Sequence, residues 1–108
     1  MGRGLRRSHL DLLILSVLEH GPLHGYAAIG ALRVRSGGFF DLAEGTVYPA
    51  LHRLERVGWV ASEWERTSGR RRRLYALTRS GRTALARQTA QWLRWSRGLN
   101  MVLNGAGS

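Results

Sequence analysis

Residues 44–56 decide the fold: Glu44-Gly45-Thr46-Val47-Tyr48-Pro49-Ala50-Leu51-His52-Arg53-Leu54-Glu55-Arg56. At about 100° per residue, Val47, Ala50, Leu51, Leu54 and Val57 line one side of a helix. Tyr48, His52 and Arg56 fall on the other side, with Arg53 on the flank. With Thr46 as N-cap, Pro49 is the third helical residue, where a backbone N–H has no intrahelical partner to lose. The spacing therefore predicts a short amphipathic helix ending at Gly58. Its outer face offers a phenol, an imidazole and guanidiniums, and its free N–H groups favour an anion. Such a face suits a nucleic-acid groove.

Upstream, residues 1–7 read as a basic arm, either a frayed terminus or a backbone-contacting extension. Ser8 is the expected N-cap of a first helix running to His20, with Leu10, Leu13, Ile14, Val17 and Leu18 as its buried stripe. Leu12 and Leu15 widen that stripe enough to imply burial on two sides, by the domain and by a partner. Gly21-Pro22 ends the helix. A second helix fits Gly25 to Arg35 with Tyr26, Ala28, Ile29 and Leu32 inward, closed by Ser36-Gly37-Gly38. Phe39-Phe40-Asp41-Leu42 is a connector with apolar anchors. Two helices before a third with an exposed basic face form the layout of a helix-turn-helix unit.

Downstream the period changes. Residues 59–65 and 72–77 alternate at period two around the turn Arg66-Thr67-Ser68-Gly69-Arg70-Arg71, a hairpin with a cationic tip. After a helix-turn-helix, this hairpin reads as a wing. Thr78 caps a fourth helix from Arg79 to Leu103, along which Leu85, Trp92, Leu99, Val102 and Leu103 recur on one stripe joined by Trp95. A helix of 25 residues spans roughly 37 Å and outruns so small a core, so its apolar face should meet a second copy. Leu13, Val17, Leu85, Trp92, Leu99, Val102 and Leu103 are the expected dimer contacts. Residues 104–108 form a flexible polar tail.

The 108 residues suffice for one domain, and 44% are hydrophobic, so a core can form. Seventeen basic residues, all Arg, face seven acidic ones for a net charge of +10, which implies a polyanionic partner. With no cysteine, disulfides and thiolate metal sites are excluded. His20 and His24 have the i, i+4 spacing of a metal pair, but Gly21-Pro22 breaks the helix that spacing needs, so no metal or cofactor is expected. No nucleophile–base arrangement, carboxylate pair or phosphate loop is present, which argues against an enzyme. The longest apolar run, Leu12–Leu15, is far short of a membrane span, and a soluble, cytoplasmic protein is expected.

Leu23-His24-Gly25-Tyr26, the run from Glu44 to Glu55 with Gly58, and Arg72-Arg73-Leu74-Tyr75-Ala76-Leu77-Thr78 with Gly81-Arg82 resemble the PadR-like transcriptional regulators over residues 8–103. The compact C-terminus is similar to the subfamily that dimerises through its first and last helices. The resemblance implies a winged helix-turn-helix, sequence-specific DNA binding, and repression released by a small molecule. In multidrug-sensing members a tryptophan of the last helix stacks on flat ligands in a pore at the dimer interface, and Trp95 resembles that position. From the residues alone, Trp92 and Trp95 read as dimer core ahead of ligand platform, and the resemblance brings Trp95 level between the two.

Together these readings give an α+β chain: a winged helix-turn-helix over 8–78 and a dimerisation helix over 79–103. The expected contacts to a palindromic double-stranded operator are Thr46, Tyr48, Pro49, His52, Arg53 and Arg56 from the helix and Arg70, Arg71 and Arg72 from the wing. Trp92 and Trp95 would take a planar aromatic effector. No Asp or Glu follows Glu65, and Arg94 and Arg97 flank Trp95, so that effector should be neutral or anionic. Asp11 of the first helix is the one acid that the sequence leaves as a counter-candidate. The alternative is a basic module that coats nucleic acid or bridges proteins without reading sequence.

Overall fold

Four helices and three strands follow one another as α1 (Arg7–Leu18), β1 (Leu23–His24), α2 (Gly25–Arg35), α3 (Glu44–Val57), β2 (Val60–Thr67), β3 (Arg70–Leu77) and α4 (Arg79–Leu103). The structure, a computed structural model, describes residues 4–67 and 69–105. The start of the expected arm (1–3), Ser68 of the expected turn and the end of the expected tail (106–108) lie outside the described residues. Helices α1, α2 and α3 enclose one core, in which Leu10, Ile14, Leu15, Val17 and Leu18 meet Ala28, Leu32, Val47, Ala50, Leu51 and Leu54. Each of those sets is one face of an amphipathic helix, and burying it leaves the polar face outward. Val60 and Tyr75 carry the core onto the sheet, and Leu85 onto α4.

Several local expectations shift by a residue or two. Helix α1 starts at Arg7 with Arg6 as N-cap and ends at Leu18, so Ser8 is inside it and His20 outside. Tyr26 does not point inward; it is 74% exposed at the start of α2, beside the buried Gly25. Phe39 is likewise exposed, and Phe40 and Leu42 do the anchoring. Helix α3 begins two residues before Thr46, at Glu44, with Ala43 as N-cap. Pro49 is therefore the sixth helical residue and leaves the carbonyl of Gly45 without its helical donor, on a side where both residues are exposed. Gly58, at φ 94°, closes α3: its N–H bonds Glu55 O, and Trp59 N–H bonds Leu54 O. Val57, expected inside, is exposed beside this closure.

The wing is tighter than its alternation suggests. The register runs from Val60↔Leu77 to Thr67↔Arg70, so only two residues turn the chain, with Gly69 at φ 77°. A third strand, β1, joins the outer side of β3 through Leu23↔Tyr75 and His24↔Leu74, giving the order β1-β3-β2. Two residues are too few to show a period, so this strand has no signature of its own.

Helix α4 has the expected bounds. Thr78 Oγ1 accepts from Gly81 N–H at 3.0 Å and donates to Gly58 O at 2.6 Å, tying the helix start to the end of α3. Only its first turns, at Gly81, Ala84 and Leu85, are buried; the remainder projects. A folded chain of this size has a radius of gyration of about 13 Å. This one reaches 15.7 Å, with extents of 62 × 28 × 21 Å.

The junction of α3, β2 and α4 is the tightest point. A Cβ on Gly81 would run into the carbonyl oxygen of Trp59, which is backbone and cannot swing away. Gly81→Ala should therefore destabilise by roughly 2–3 kcal/mol, whereas Thr78→Ala, which removes a cap, should cost about 1 kcal/mol. Urea denaturation of the two variants checks the order; a Gly81→Ala protein as stable as the parent would contradict the close approach.

Candidate nucleic-acid interface

Because Val47, Ala50, Leu51 and Leu54 are buried, α3 presents Gly45, Pro49, His52 and Arg56 as one exposed line at i, i+4, i+7 and i+11. Tyr48 stands beside that line, half-buried, with its ring against Gly25: a Cβ there would lie 2.5 Å from Tyr48 Cε1. Thr46 is half-buried in the first turn, and its N–H is bonded to Ala43 O at 3.0 Å. Glu44 puts a carboxylate at the helix start, where the dipole favours it, so this N-terminus already has its own negative charge.

Arg53 turns away from the exposed line. Its Nη1 and Nη2 donate to Asp11 Oδ1 of α1 at 3.0 and 2.7 Å, with only 20% of the Arg53 side chain and 14% of the Asp11 side chain exposed. Arg53 is engaged inside the domain, and Asp11, the one acid considered for the tryptophan site, is bound elsewhere. A contact spanning 42 residues of sequence leaves no local signal.

The wing stands next to α3. Arg70, Arg71 and Arg72 are exposed, and Arg73 is half-buried. With His24, Gly25, Tyr26 and Tyr48 they line a groove of about 500 Å³ between the wing and the starts of α2 and α3. His24 Nε2 of β1 lies 3.0 Å from Glu65 Oε1 of the wing. On the opposite side, Ser62 Oγ donates to Glu55 Oε2 at 2.7 Å and accepts from Arg73 Nε at 2.8 Å. Arg73 Nη2 is 3.8 Å from the same Glu55 carboxylate, so β2 and β3 are both fastened to α3.

A second concavity lies between α1 and α4. It measures about 520 Å³ and is lined by Arg6, Ser8, His9, Leu12, Gln88, Gln91, Trp92 and Trp95, with no carboxylate among them. Trp92 and Trp95 stack at 5.4 Å between centroids, and His9 meets Trp92 edge-on at 5.1 Å. His9, Gln88 and Gln91 have no distinguishing pattern in the sequence, and only the packing of α1 on α4 brings them together. Of the expected dimer contacts, Val17 and Leu85 are buried in the chain's own core and Leu13 is half-buried. Trp92, Leu99, Val102 and Leu103 remain exposed. Among the described residues no helix is long and apolar enough to cross a membrane, and no three His, Cys, Asp or Glu side chains gather as a metal site.

Helix-turn-helix, basic wing and projecting C-terminal helix define a winged helix-turn-helix DNA-binding protein. The chain belongs to the PadR-like family of transcriptional regulators, whose family model matches residues 14–87, and its class is regulatory rather than enzymatic. It is 39% identical over 83 residues to transcriptional regulator Rv3488 of Mycobacterium tuberculosis, covering 77% of this chain and 75% of that one. A PadR family transcription regulator from Clostridium difficile R20291 superposes with a TM-score of 0.76 at 35% identity, covering 88% of this chain and 98% of that one. Bacillus subtilis PadR, solved in complex with operator DNA, gives a TM-score of 0.65 at 27% identity over 78% of this chain and 46% of that one.

The Asp11–Arg53 pair has a measurable signature. Burial pushes the Asp11 carboxyl above its ordinary 3.8, outweighing the pull of Arg53 and then Arg7 in the other direction. A raised acid binds its proton more tightly in the folded state. Its contribution to stability is thus full below pH 3.8 and is lost as pH rises through the higher folded value. The pair therefore aligns α1 with α3 more than it stabilises them. A carboxyl NMR titration should place the Asp11 midpoint above 3.8; a midpoint below would mean that Arg53 dominates.

Proposed function

We propose that this PadR-like regulator is a homodimeric repressor, working in the cytoplasm, that releases a palindromic operator when a flat aromatic effector enters the α1–α4 cleft. The observation that carries the DNA-binding part is the exposed line of α3 lying beside a groove lined by four arginines. An α-helix fits the major groove, and guanidiniums at its flank meet the phosphates. In this reading His52 and Arg56 face base edges. Pro49 lets the backbone come close, and Thr46 and Tyr48 border the strand. Arg70, Arg71 and Arg72 follow the sugar-phosphate backbone, while Arg53 positions α3 through Asp11. The operator complex of the Bacillus subtilis relative supports the same use of the fold here.

Dimerisation is supported by Trp92, Trp95, Leu99 and Val102, spaced three, four and three along α4 and all exposed, Val102 by 78%. That spacing is the seam of a helix pair. A two-fold axis then spaces the two α3 helices for half-sites about one helical turn apart. The effector reading rests on the stacked tryptophans with Arg6 nearby and no carboxylate in the lining, a site for a neutral or anionic ring system.

Mobility-shift titrations separate the two sorts of DNA contact. Replacing Arg70, Arg71 and Arg72 with Ala should weaken binding to every sequence and flatten its salt dependence. His52→Ala or Arg56→Ala should instead lose about 1–3 kcal/mol on the operator alone. Full salt dependence in the wing variant would remove the wing from the interface.

Leu99→Asp places an unpaired charge in the proposed seam and should yield monomers with weak operator binding. Sedimentation as an intact dimer would place the seam elsewhere. For the effector, tryptophan quenching should rank planar anions and neutral compounds above matched cations, and Trp95→Ala should abolish the response. Preferential quenching by the cations would overturn the charge argument.

A further inference from the structure

Trp64 is an exposed indole on a strand of the wing, 55% accessible, in a position that core packing does not explain. It pairs across the ladder with Arg73, while Arg71 pairs with Arg66, so Trp64, Arg66, Arg71 and Arg73 share one face of the hairpin. Arg70 and Arg72 point to the other. The Arg73 guanidinium lies 4.9 Å from the Trp64 ring centroid and that of Arg71 4.5 Å. Both distances are within cation–π range.

The two arginines differ in what else holds them. Arg73 is bonded to Ser62 Oγ at 2.8 Å and stands 3.8 Å from Glu55 of α3, so its position is set by the recognition helix. Arg71, among the described residues, has the indole and no ion-pair partner. A continuous series of contacts thus runs from Glu55 through Ser62 and Arg73 to Trp64 and ends on Arg71. An unsupported Arg on a hairpin tip loses much rotamer freedom when it engages a phosphate; an Arg resting on an indole loses less.

We propose that Trp64 is a positioning residue for DNA binding, holding the Arg71 guanidinium in register with α3 so that it meets a backbone phosphate at the flank of the groove occupied by that helix. This rests on the wing reading above and adds to it a residue that touches no DNA itself. The four-arginine run then divides: Arg73 fastens the wing, Arg71 is presented by the indole, and Arg70 and Arg72 act from the opposite face.

A double-mutant cycle on the full chain tests this, with AT-rich and GC-rich duplexes as probes and binding followed across a salt series. Trp64→Ala and Arg71→Ala should each weaken binding to both duplexes by a similar factor, on the order of fivefold, the strength of an exposed cation–π contact. Each should lower the slope of log affinity against log salt by about one phosphate's worth, and Trp64→Phe should restore most of the affinity and slope. Adding Trp64→Ala to Arg71→Ala should lose nothing further, since the indole acts through that guanidinium. Fully additive losses, a loss confined to one duplex, or parental affinity and slope in Trp64→Ala would overturn the proposal. If Arg71→Ala itself kept the full slope, the wing reading would fail first. Thermal denaturation of Trp64→Ala should match the parent; an unfolded variant would show that the indole is structural and overturn the assignment.

Discussion

The burial of one face of α3 is the constraint from which the rest follows. Val47, Ala50, Leu51 and Leu54 are sealed against α1 and α2, and a helix cannot hide one face without presenting the opposite one. Gly45, Pro49, His52 and Arg56 are therefore displayed as a line whose orientation is fixed by the core rather than by any contact of their own. Gly58 then ends the helix within one residue and sends the chain directly into β2, which sets the wing alongside.

A second constraint is the scarcity of acid. Seven carboxylates serve seventeen arginines, and three of them sit where elements must be aligned. Asp11 joins α1 to α3, Glu55 joins α3 to the wing, and Glu65 of the wing stands against His24 of β1. Pairs that are half-buried add little net stability, but their geometry is narrow, so they suit alignment. Of the arginines left over, Arg70, Arg71 and Arg72 crowd together on the exposed wing, where they repel one another until a polyanion neutralises them. The proposed operator contact uses the charge that the fold does not consume.

The far half of α4 stands apart from both. Beyond Leu85 the helix meets the domain only across the α1–α4 cleft, where His9 touches Trp92, and it carries Trp92, Trp95, Leu99 and Val102 on as an exposed apolar stripe. A contiguous apolar face of that kind suits the second copy proposed above, which would present a complementary one by symmetry. The α1–α4 cleft opens at the root of the same projection, which brings the proposed effector site next to both the seam and the helix that carries Asp11.

Much of this was legible in the sequence, because amphipathic period, caps and alternation are local properties. The residues of α2 and α4, the wing after the third helix, the outward His52 and Arg56 and the buried Val47, Leu51 and Leu54 all follow from spacing alone. Helix starts were less secure: with no side-chain cap at Ala43 or Arg6, the nearest Thr46 and Ser8 are natural but wrong choices. What only the tertiary structure decided are the contacts that cross it. Arg53 belongs to Asp11, Tyr48 lies on Gly25, His9 meets Trp92, Leu23 and His24 form a strand, and Val17 and Leu85 are spent inside the chain. A periodic pattern says which way a side chain points relative to its own helix or strand. It carries no information about which charge or ring from a distant segment will stand opposite, because that depends on how whole elements pack.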